Sequence, residues 1–199
     1  MKKYWIGIGL CLLLFNLQAQ FSKGVIVDQH GGIYPGYLKL TSAPDHHYPE
    51  YTCNEKLLFK ETKKGKREVL TVNDLSSFKL GLDTFLILKN YSFPLDNLVH
   101  NRFAKVILKG KGGIVCTFDE LTLIAGIDSP VHSHIKTEIP HYVIFKNNQV
   151  IELTDYNFYY EIPPLISDYE NLHQQVVSKQ LQFKQIDELA LKYEQWRSK

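Results

Sequence analysis

Cysteine and long apolar runs are scarce in this sequence, and each shortage argues against a class of protein. The 199 residues include three cysteines and one methionine, without a Cys-x-x-Cys pair, which disfavours thiol redox catalysis and thiolate zinc sites. The apolar run over residues 4–15 is shorter than the roughly 20 residues of a membrane-spanning helix. Neither a Gly-x-Ser-x-Gly elbow nor a phosphate-binding Gly-x-x-x-x-Gly-Lys-Ser/Thr loop is present.

The amino terminus has the pattern of a bacterial-type secretory signal. Lys2 and Lys3 precede the apolar run, and a polar stretch follows that ends at the small residue Ala19. A short apolar core with a positive flank and a small residue at its end is typical of a cleaved signal peptide. We therefore predict a signal peptide over residues 1–19, a secreted protein in the periplasm or at the cell surface, and no membrane span after cleavage.

The mature chain is predicted to be electrically balanced. The sequence has 23 basic and 21 acidic residues, and removal of Lys2 and Lys3 leaves 21 of each. Without a basic excess, the usual electrostatic attraction to nucleic acid is missing, and we expect no nucleic-acid partner. Residues 20–199 are enough for a single domain with a full core.

Cys53 and Cys116 are the cysteines that remain after cleavage. In an exported protein they can form a disulfide, which would stabilise the fold by about 4 kcal/mol because it closes a long loop. The alternative is two buried free thiols. Cys116 lies in the apolar run "GIVCTF", where a thiol serves as a small hydrophobic side chain.

From about residue 24 to residue 153, short apolar runs alternate with turn residues, which is typical of antiparallel strands. Pro35 and Gly36 place the second strand at a sheet edge or give it a bulge. "NDLSSF" is predicted to form a helical turn, and "TFLILKN" a further strand. Four hairpins are predicted: "GVIVD" with "IYPGYLKL", "KLLFK" with "REVLT", "RFAKVILKG" with "GIVCTFDE", and "HYVIFK" with "VIELT".

From about residue 155 to residue 199, the apolar pattern takes the period of helices. "LISDYENLHQQVVSKQ" is predicted to form a helix with Ser167 or Asp168 as its N-cap. "QFKQIDELALKYEQWRSK" is predicted to form a second helix, whose apolar stripe packs on the strands or, alternatively, binds a partner. The fold class is therefore predicted to be α+β, with an antiparallel β-rich sheet or barrel-like body and two C-terminal helices packed on it. The stripe consists of Ile186, Leu189, Ala190, Tyr193 and Trp196.

Four segments occur in an order that resembles a group of uncharacterised secreted proteins of Bacteroidetes-type bacteria. They are "KGVIVDQHGGIYPGYLKL", "EVLTVNDLSSFKLG", "FAKVILKGKGGIVCTFDE" and "ISDYENLHQQVVSKQLQFKQIDELALKYEQW". The resemblance implies a secreted, strand-rich body that opens with a glycine-turn hairpin and ends in two helices. It implies no biochemical activity. The sequence departs from the group at Gly32, where a polar residue is common, and in a proline-rich loop around Asp45.

Three of the eight histidines lie within ten residues, in "PVHSHIKTEIPHY". On a strand over residues 131–139, His132, His134, Lys136 and Glu138 share one face, as expected for the solvated side of an antiparallel strand. Alternatively, His132 and His134 bind zinc together with Glu138 or His141, although Lys136 on the same face opposes a cation.

A second histidine-containing segment, "PDHHYPEY", also offers ligand atoms. Its candidates are Asp45, His46, His47 and Glu50. Adjacent residues of an extended segment face opposite ways, so His46 and His47 are not placed to chelate one ion. We expect an exposed loop here.

Taken together, these patterns predict a non-enzymatic binding module of the envelope, whose partner is an envelope protein or a glycan. The 12 tyrosines and 11 phenylalanines supply a core and contact surfaces. A small metal-dependent hydrolase or metal-binding protein that uses the histidine-rich strand is the alternative, with zinc as its cofactor. A purely structural accessory domain is a third hypothesis.

Overall fold

The computed structural model describes residues 21–44, 53–91, 100–124, 135–147 and 149–199, with the side chains at 42–44, 53–55, 100, 119–124 and 135–139 excepted. In these ranges, ten strands and three helices follow one another along the chain. The strands are β1 (Ser22–Asp28), β2 (Ile33–Pro44), β3 (Cys53–Lys60), β4 (Glu68–Leu70), β5 (Leu75–Leu80), β6 (Asp83–Tyr91), β7 (His100–Gly110), β8 (Gly113–Ile124), β9 (Ile135–Lys146) and β10 (Gln149–Leu153). The helices are α1 (Phe158–Leu165), α2 (Glu170–Val177) and α3 (Ile186–Arg197), and a short 3-10 turn (Phe183–Gln185) precedes α3.

All ten strands belong to one antiparallel sheet, in the order β10-β9-β8-β7-β6-β5-β1-β2-β3-β4. Strands β1 to β4 form one meander. Strand β5 then pairs with the free side of β1, and β5 to β10 form a second meander that extends in the opposite direction. The sheet is open, with β10 and β4 at its edges, so it is not a closed barrel. The predicted α+β class, with helices on an antiparallel β-rich body, is confirmed.

The four predicted hairpins are confirmed as β1–β2, β3–β4, β7–β8 and β9–β10. The β1–β2 turn shows why the chain reverses there. The Asp28 carboxylate accepts hydrogen bonds from the backbone N–H groups of His30 at 2.8 Å and Gly32 at 2.7 Å. Gly31 between them has a φ of 83°, a conformation that favours glycine. The bond from Gly32 is the largest cause of a lowered pKa for Asp28.

The prediction of a helical turn in "NDLSSF" is wrong for its last four residues, which begin strand β5 between β1 and β6. Asn73 and Asp74 lie in a turn before this strand. Its buried residues Leu75 and Phe78 are three positions apart, which is a helical spacing. The pairing of β1 with β5 shifts between Val27 and Asp28, and this irregularity accommodates the spacing within a sheet.

Pro35 causes no bulge, since the register of β1 with β2 runs without a shift. The pairing of β2 with β3 begins only at Tyr37. At Pro35, β2 therefore has a neighbouring strand on one side only. Proline has no backbone N–H, and on the side without a neighbouring strand this costs no hydrogen bond of the sheet. At Pro35, β2 is therefore an edge strand, as predicted, although the rest of β2 lies between β1 and β3.

The C-terminal region contains three helices instead of the predicted two. The additional helix, α1, carries Pro163 and Pro164 in its last turn, where proline ordinarily signals that a helix ends. The predicted N-caps of α2 are also wrong, because α2 begins at Glu170 and its N-cap residue is Tyr169. Asp168 instead accepts a hydrogen bond from the hydroxyl of Tyr193 at 2.8 Å.

The predicted apolar stripe of the last helix is confirmed as core. Ile186, Leu189, Ala190 and Tyr193 are buried in one cluster with Leu108, Val115 and Ile144 of the sheet, and Trp196 packs against it. Two polar contacts fix the helices further. The hydroxyl of Tyr142 donates to Asp187 at 3.0 Å, and the N–H of Lys111 donates to the carbonyl of Leu165 at 2.8 Å.

The register defines two faces of the sheet, because side chains directly opposite each other on paired strands lie on the same face. The face that the helices cover, here called the helix-side face, is apolar in both halves of the sheet. One row on it links Tyr142, Thr117, Lys105, Phe85, Phe78 and Ile26. A row on the opposite face links Ala104, Leu86, Ser77, Val27 and Ile33.

Candidate ligand-binding face

The face opposite the helices changes character halfway across the sheet. Over β6 to β9 it is buried and mostly apolar, and the buried Arg102 lies opposite Leu88 on the same face. Its apolar cluster consists of Leu88, Ala104, Cys116, Phe118 and Val143. Over β1, β2, β3 and β5 it carries lysines. This surface, here called the lysine face, is the side of these four strands that carries Lys23, Lys39, Lys56, Lys60 and Lys79, together with Phe21 and Tyr37. Apolar and hydroxyl-bearing residues lie between the lysines on the same side, among them Val25, Val27, Thr41, Leu58 and Ser77.

The register brings these lysines together from four strands. Lys23 on β1 pairs with Tyr37 on β2, and Tyr37 pairs with Lys60 on β3, so the three side chains form one row. Lys79 on β5 pairs with Val25, two residues from Lys23 on the same face. Because neighbouring strands are about 4.8 Å apart, the five ammonium groups share a patch four strands wide.

Lys39 and Lys56 extend the patch along the strands. Lys39 pairs with Leu58, and Lys56 pairs with Thr41. Lys23, Lys56 and Lys79 are exposed, and Lys39 and Lys60 are half-exposed. The Nζ atom of Lys60 lies 4.5 Å from the centre of the Phe21 ring, a cation–π contact that holds this ammonium over the face.

The positive charge of the lysine face is not compensated by described side chains. The ion pairs between described residues lie elsewhere, as Lys105–Asp83, Lys146–Glu161 and Lys192–Glu188. At the described positions of the lysine face, the residues are lysine, apolar, aromatic or hydroxyl-bearing, and none is acidic. Five like charges on one face attract anions, and they repel each other by a few tenths of a kcal/mol per pair in water.

The predicted zinc ligands fall partly outside the described residues. His132 and His134 lie outside them, as do Asp45, His46, His47 and Glu50 of the second histidine segment. Glu138 is in strand β9, opposite Leu121, but its side chain is not among those described.

The structure does locate His141. It pairs with Phe118 of β8, and its ring stacks on the Phe118 ring at a centroid distance of 5.6 Å. Among the described residues, no group of three or more histidine, cysteine, aspartate or glutamate side chains is placed to hold a metal ion. The zinc site stays a prediction.

Cys116 is a buried free thiol on β8. Burial raises the pKa of this thiol to about 12, so it acts as a small apolar side chain of the core. Cys53 opens strand β3, which is not a neighbour of β8 in the sheet. The side chain of Cys53 lies outside those described.

A second exposed surface occurs where α1 begins. Tyr156, in the turn before α1, is 85% exposed, and Tyr160, in the first turn of α1, is 73% exposed. Tyr159 between them is partly buried, with the Nζ atom of Lys179 at 5.4 Å from its ring centre. Two exposed tyrosines close together in the sequence offer a small aromatic contact surface.

The lysine face is not among the sequence-based expectations, because the small net charge of the whole sequence, +2, gives no sign of a local basic surface. The local signal was alternation. Lys56 and Lys60 alternate with apolar residues along β3, and Lys39 does so with Leu38 and Leu40 along β2. Alternation identifies a solvated side of each strand, but it does not say which strands pair. The register supplies that information and joins the separate lysines into one surface.

No known protein family, curated protein or solved structure matches this chain. In the part of the chain that the structure describes, no helix is both long and apolar enough to cross a lipid bilayer. The chemistry of the exposed faces therefore carries the functional interpretation.

Proposed function

We propose that this protein is an exported, non-enzymatic binding module of the bacterial envelope, and that its lysine face binds a partner with acidic groups. The observation that carries the proposal is the group of five lysines on one sheet face, without a described carboxylate partner. A partner that supplies carboxylates or phosphates would form charge-assisted hydrogen bonds with these ammonium groups. Acidic glycans and acidic segments of envelope proteins have this chemistry.

Protection of a sheet edge does not account for these lysines. Lysines on edge strands prevent pairing with other chains, and such a role needs no ligand. Lys23, Lys39 and Lys79 lie on β1, β2 and β5, which have a strand on each side in the sheet. Their charge therefore lies on the surface of the sheet and not at its margin.

The groups on this face suit binding better than catalysis. An ammonium group donates hydrogen bonds and has no lone pair with which to accept a proton. The other side chains of the lysine face are aromatic rings, aliphatic groups and hydroxyls. Such a set can hold an anion in place, and it contains no evident general base or nucleophile pair.

Retention on an immobilised acidic polysaccharide, measured as a function of salt concentration, tests the proposal. We expect the protein to be retained at low salt and to elute as salt screens the charges. The triple variant Lys23→Glu, Lys39→Glu, Lys79→Glu should lose retention, because it replaces three positive charges of the face by three negative ones.

A matched control separates a binding face from net charge alone. Lys111, Lys184 and Lys199 are exposed lysines outside the lysine face. Replacing these three by glutamate changes the net charge by the same amount, and this variant should elute at nearly the salt concentration of the unmodified protein. If both triple variants lose retention equally, the lysine face is not a specific site and the proposal is wrong.

A further inference from the structure

Among the large apolar residues that the structure describes, Leu82 has the most exposed side chain. It is 96% exposed in the two-residue turn between β5 and β6. Gly81 beside it has a φ of 62°, so the glycine alone meets the conformational demand of the turn. Turns ordinarily carry polar residues, and the turn geometry gives no reason for a leucine at this position.

A single exposed leucine is common in proteins, and the position of Leu82 is what makes it informative. The N–H of Gly81 donates to the carbonyl of Lys23 at 3.1 Å, so the turn lies directly beside the first residues of β1. Lys79 precedes Gly81 by two residues on β5. Leu82 therefore lies at the border of the lysine face, in the turn next to Lys23 and Lys79.

We propose that the lysine face lies on an anionic lipid surface and that Leu82 enters the apolar layer beneath the headgroups; this inference rests on the binding role proposed above. A lipid surface offers phosphates and hydrocarbon within a few ångströms of each other, and peripheral proteins use basic and apolar side chains together to bind it. An acidic glycan offers anions but no apolar phase for an aliphatic side chain.

The residues between the lysines agree with a flat, water-excluding contact. Val25, Val27 and Leu58 are half-buried on this face, and the long lysine side chains lie among them. Lysine side chains keep their aliphatic part on apolar surface while the ammonium group reaches outward to phosphates. In the proposed contact, the lysines meet the lipid surface from the sheet face and Leu82 meets it from the border of that face.

Sedimentation with lipid vesicles tests this inference. We expect binding to vesicles that contain phosphatidylglycerol and phosphatidylcholine, and little binding to phosphatidylcholine alone. Each lysine near an anionic surface strengthens binding by about fivefold, so the triple glutamate variant should lose binding by more than about a hundredfold. Leu82→Ser should weaken binding about tenfold and leave retention on the acidic polysaccharide unchanged. All variants have the same amino-terminal segment as the unmodified protein. Differences in vesicle binding between them therefore arise from the substituted residues.

The variant Leu82→Trp reports insertion directly. Its added indole emission should shift to shorter wavelength when vesicles with phosphatidylglycerol are added, relative to the unmodified protein. Leu191→Trp is the matched control, because Leu191 is 59% exposed on α3, a helix that packs on the other face of the sheet. Its emission should not shift.

The outcomes separate this inference from the function on which it rests. If Leu82→Ser binds vesicles as well as the unmodified protein and the emission of the Leu82→Trp variant does not shift, insertion is wrong. If the polysaccharide retains the protein and vesicles do not bind it, the occupant is an acidic glycan, and the lipid inference is overturned while the binding role stands. If neither binds it, the binding role fails as well.

Discussion

The two halves of the ten-stranded sheet use the same antiparallel pairing and differ in what covers them. Over β7 to β10, one face packs on three helices and the other contributes to a buried apolar cluster. Over β1, β2, β3 and β5, the helix-side face is apolar and the other face carries exposed lysines. Strands with two buried faces have both sets of residues fixed by packing, whereas a solvated face leaves its residues free for another role. Comparisons of variants in the two halves test this division.

The largest effect is expected where a helix fills the core. Leu189 is fully buried on α3, and Leu191 on the same helix is 59% exposed. We expect Leu189→Ala to lower the free energy of unfolding by about 2–5 kcal/mol, because it leaves a cavity under the helix. Leu191→Ala should change it by less than about 0.5 kcal/mol. Urea denaturation followed by circular dichroism measures both, and equal losses would contradict the docking of α3.

A somewhat smaller effect is expected where α1 meets the β7–β8 hairpin. A Cβ atom on Gly110 would lie 2.3 Å from the carbonyl oxygen of Leu165. Gly110→Val should therefore displace the end of α1 and lower the free energy of unfolding by about 1–3 kcal/mol. Lys111→Ala is the control, since it keeps the backbone N–H that bonds to Leu165. The same denaturation measurement applies, and an unchanged midpoint for Gly110→Val would show that the contact is not made.

A hydroxyl contact gives a third, weaker comparison. Tyr193→Phe removes the hydrogen bond to Asp168 and should lower the free energy of unfolding by about 0.5–1.5 kcal/mol. Burial, and then the bond to Asp168, raise the pKa of Tyr193 to about 12 from its ordinary value of 10.0. The folded state therefore favours the neutral phenol, whose contribution is fully present below about pH 10 and is lost as the pH rises towards 12.

Denaturation at several pH values tests this titration. The stability difference between the unmodified protein and Tyr193→Phe should shrink between pH 10 and pH 12. Tyr160→Phe serves as the control, because Tyr160 is 73% exposed and should contribute nothing comparable. A difference that stays constant over this pH range would contradict the role assigned to the buried phenol.

The smallest effect on stability is expected on the lysine face. Lys23→Gln and Lys79→Gln each remove one exposed charge that has no described carboxylate partner. We expect each to change the free energy of unfolding by less than about 0.5 kcal/mol, with relief of repulsion favouring the folded state. Thermal unfolding at low salt checks this, and a loss above about 1 kcal/mol would mean that these lysines serve the fold.

Most strands of the sheet could be predicted from the sequence. Alternating apolar residues and turn glycines predicted four hairpins correctly, since these signals are local. Strand β5 was misinterpreted because Leu75 and Phe78 have the spacing of a helix, and the irregular register that accommodates them depends on a distant strand. Helix α1 was missed because Pro163 and Pro164 lie inside it.

The candidate site was far less accessible from the sequence. The histidines stood out because they cluster along the chain, whereas the five lysines are spread from Lys23 to Lys79 and meet only through the sheet. Strand β5 pairs with β1, and no local sequence pattern predicts which distant strands pair with each other. Net charge was equally uninformative, because it averages a basic sheet face with acidic groups elsewhere in the chain.

Hydrogen exchange with and without vesicles that contain phosphatidylglycerol tests whether the lysine-bearing half of the sheet is the contact surface. We expect slower exchange at residues 81–83 and at the first residues of β1 when vesicles are present. Residues 155–160, with their exposed tyrosines, should exchange at an unchanged rate. Slowing at residues 155–160, or slowing nowhere, would contradict this expectation.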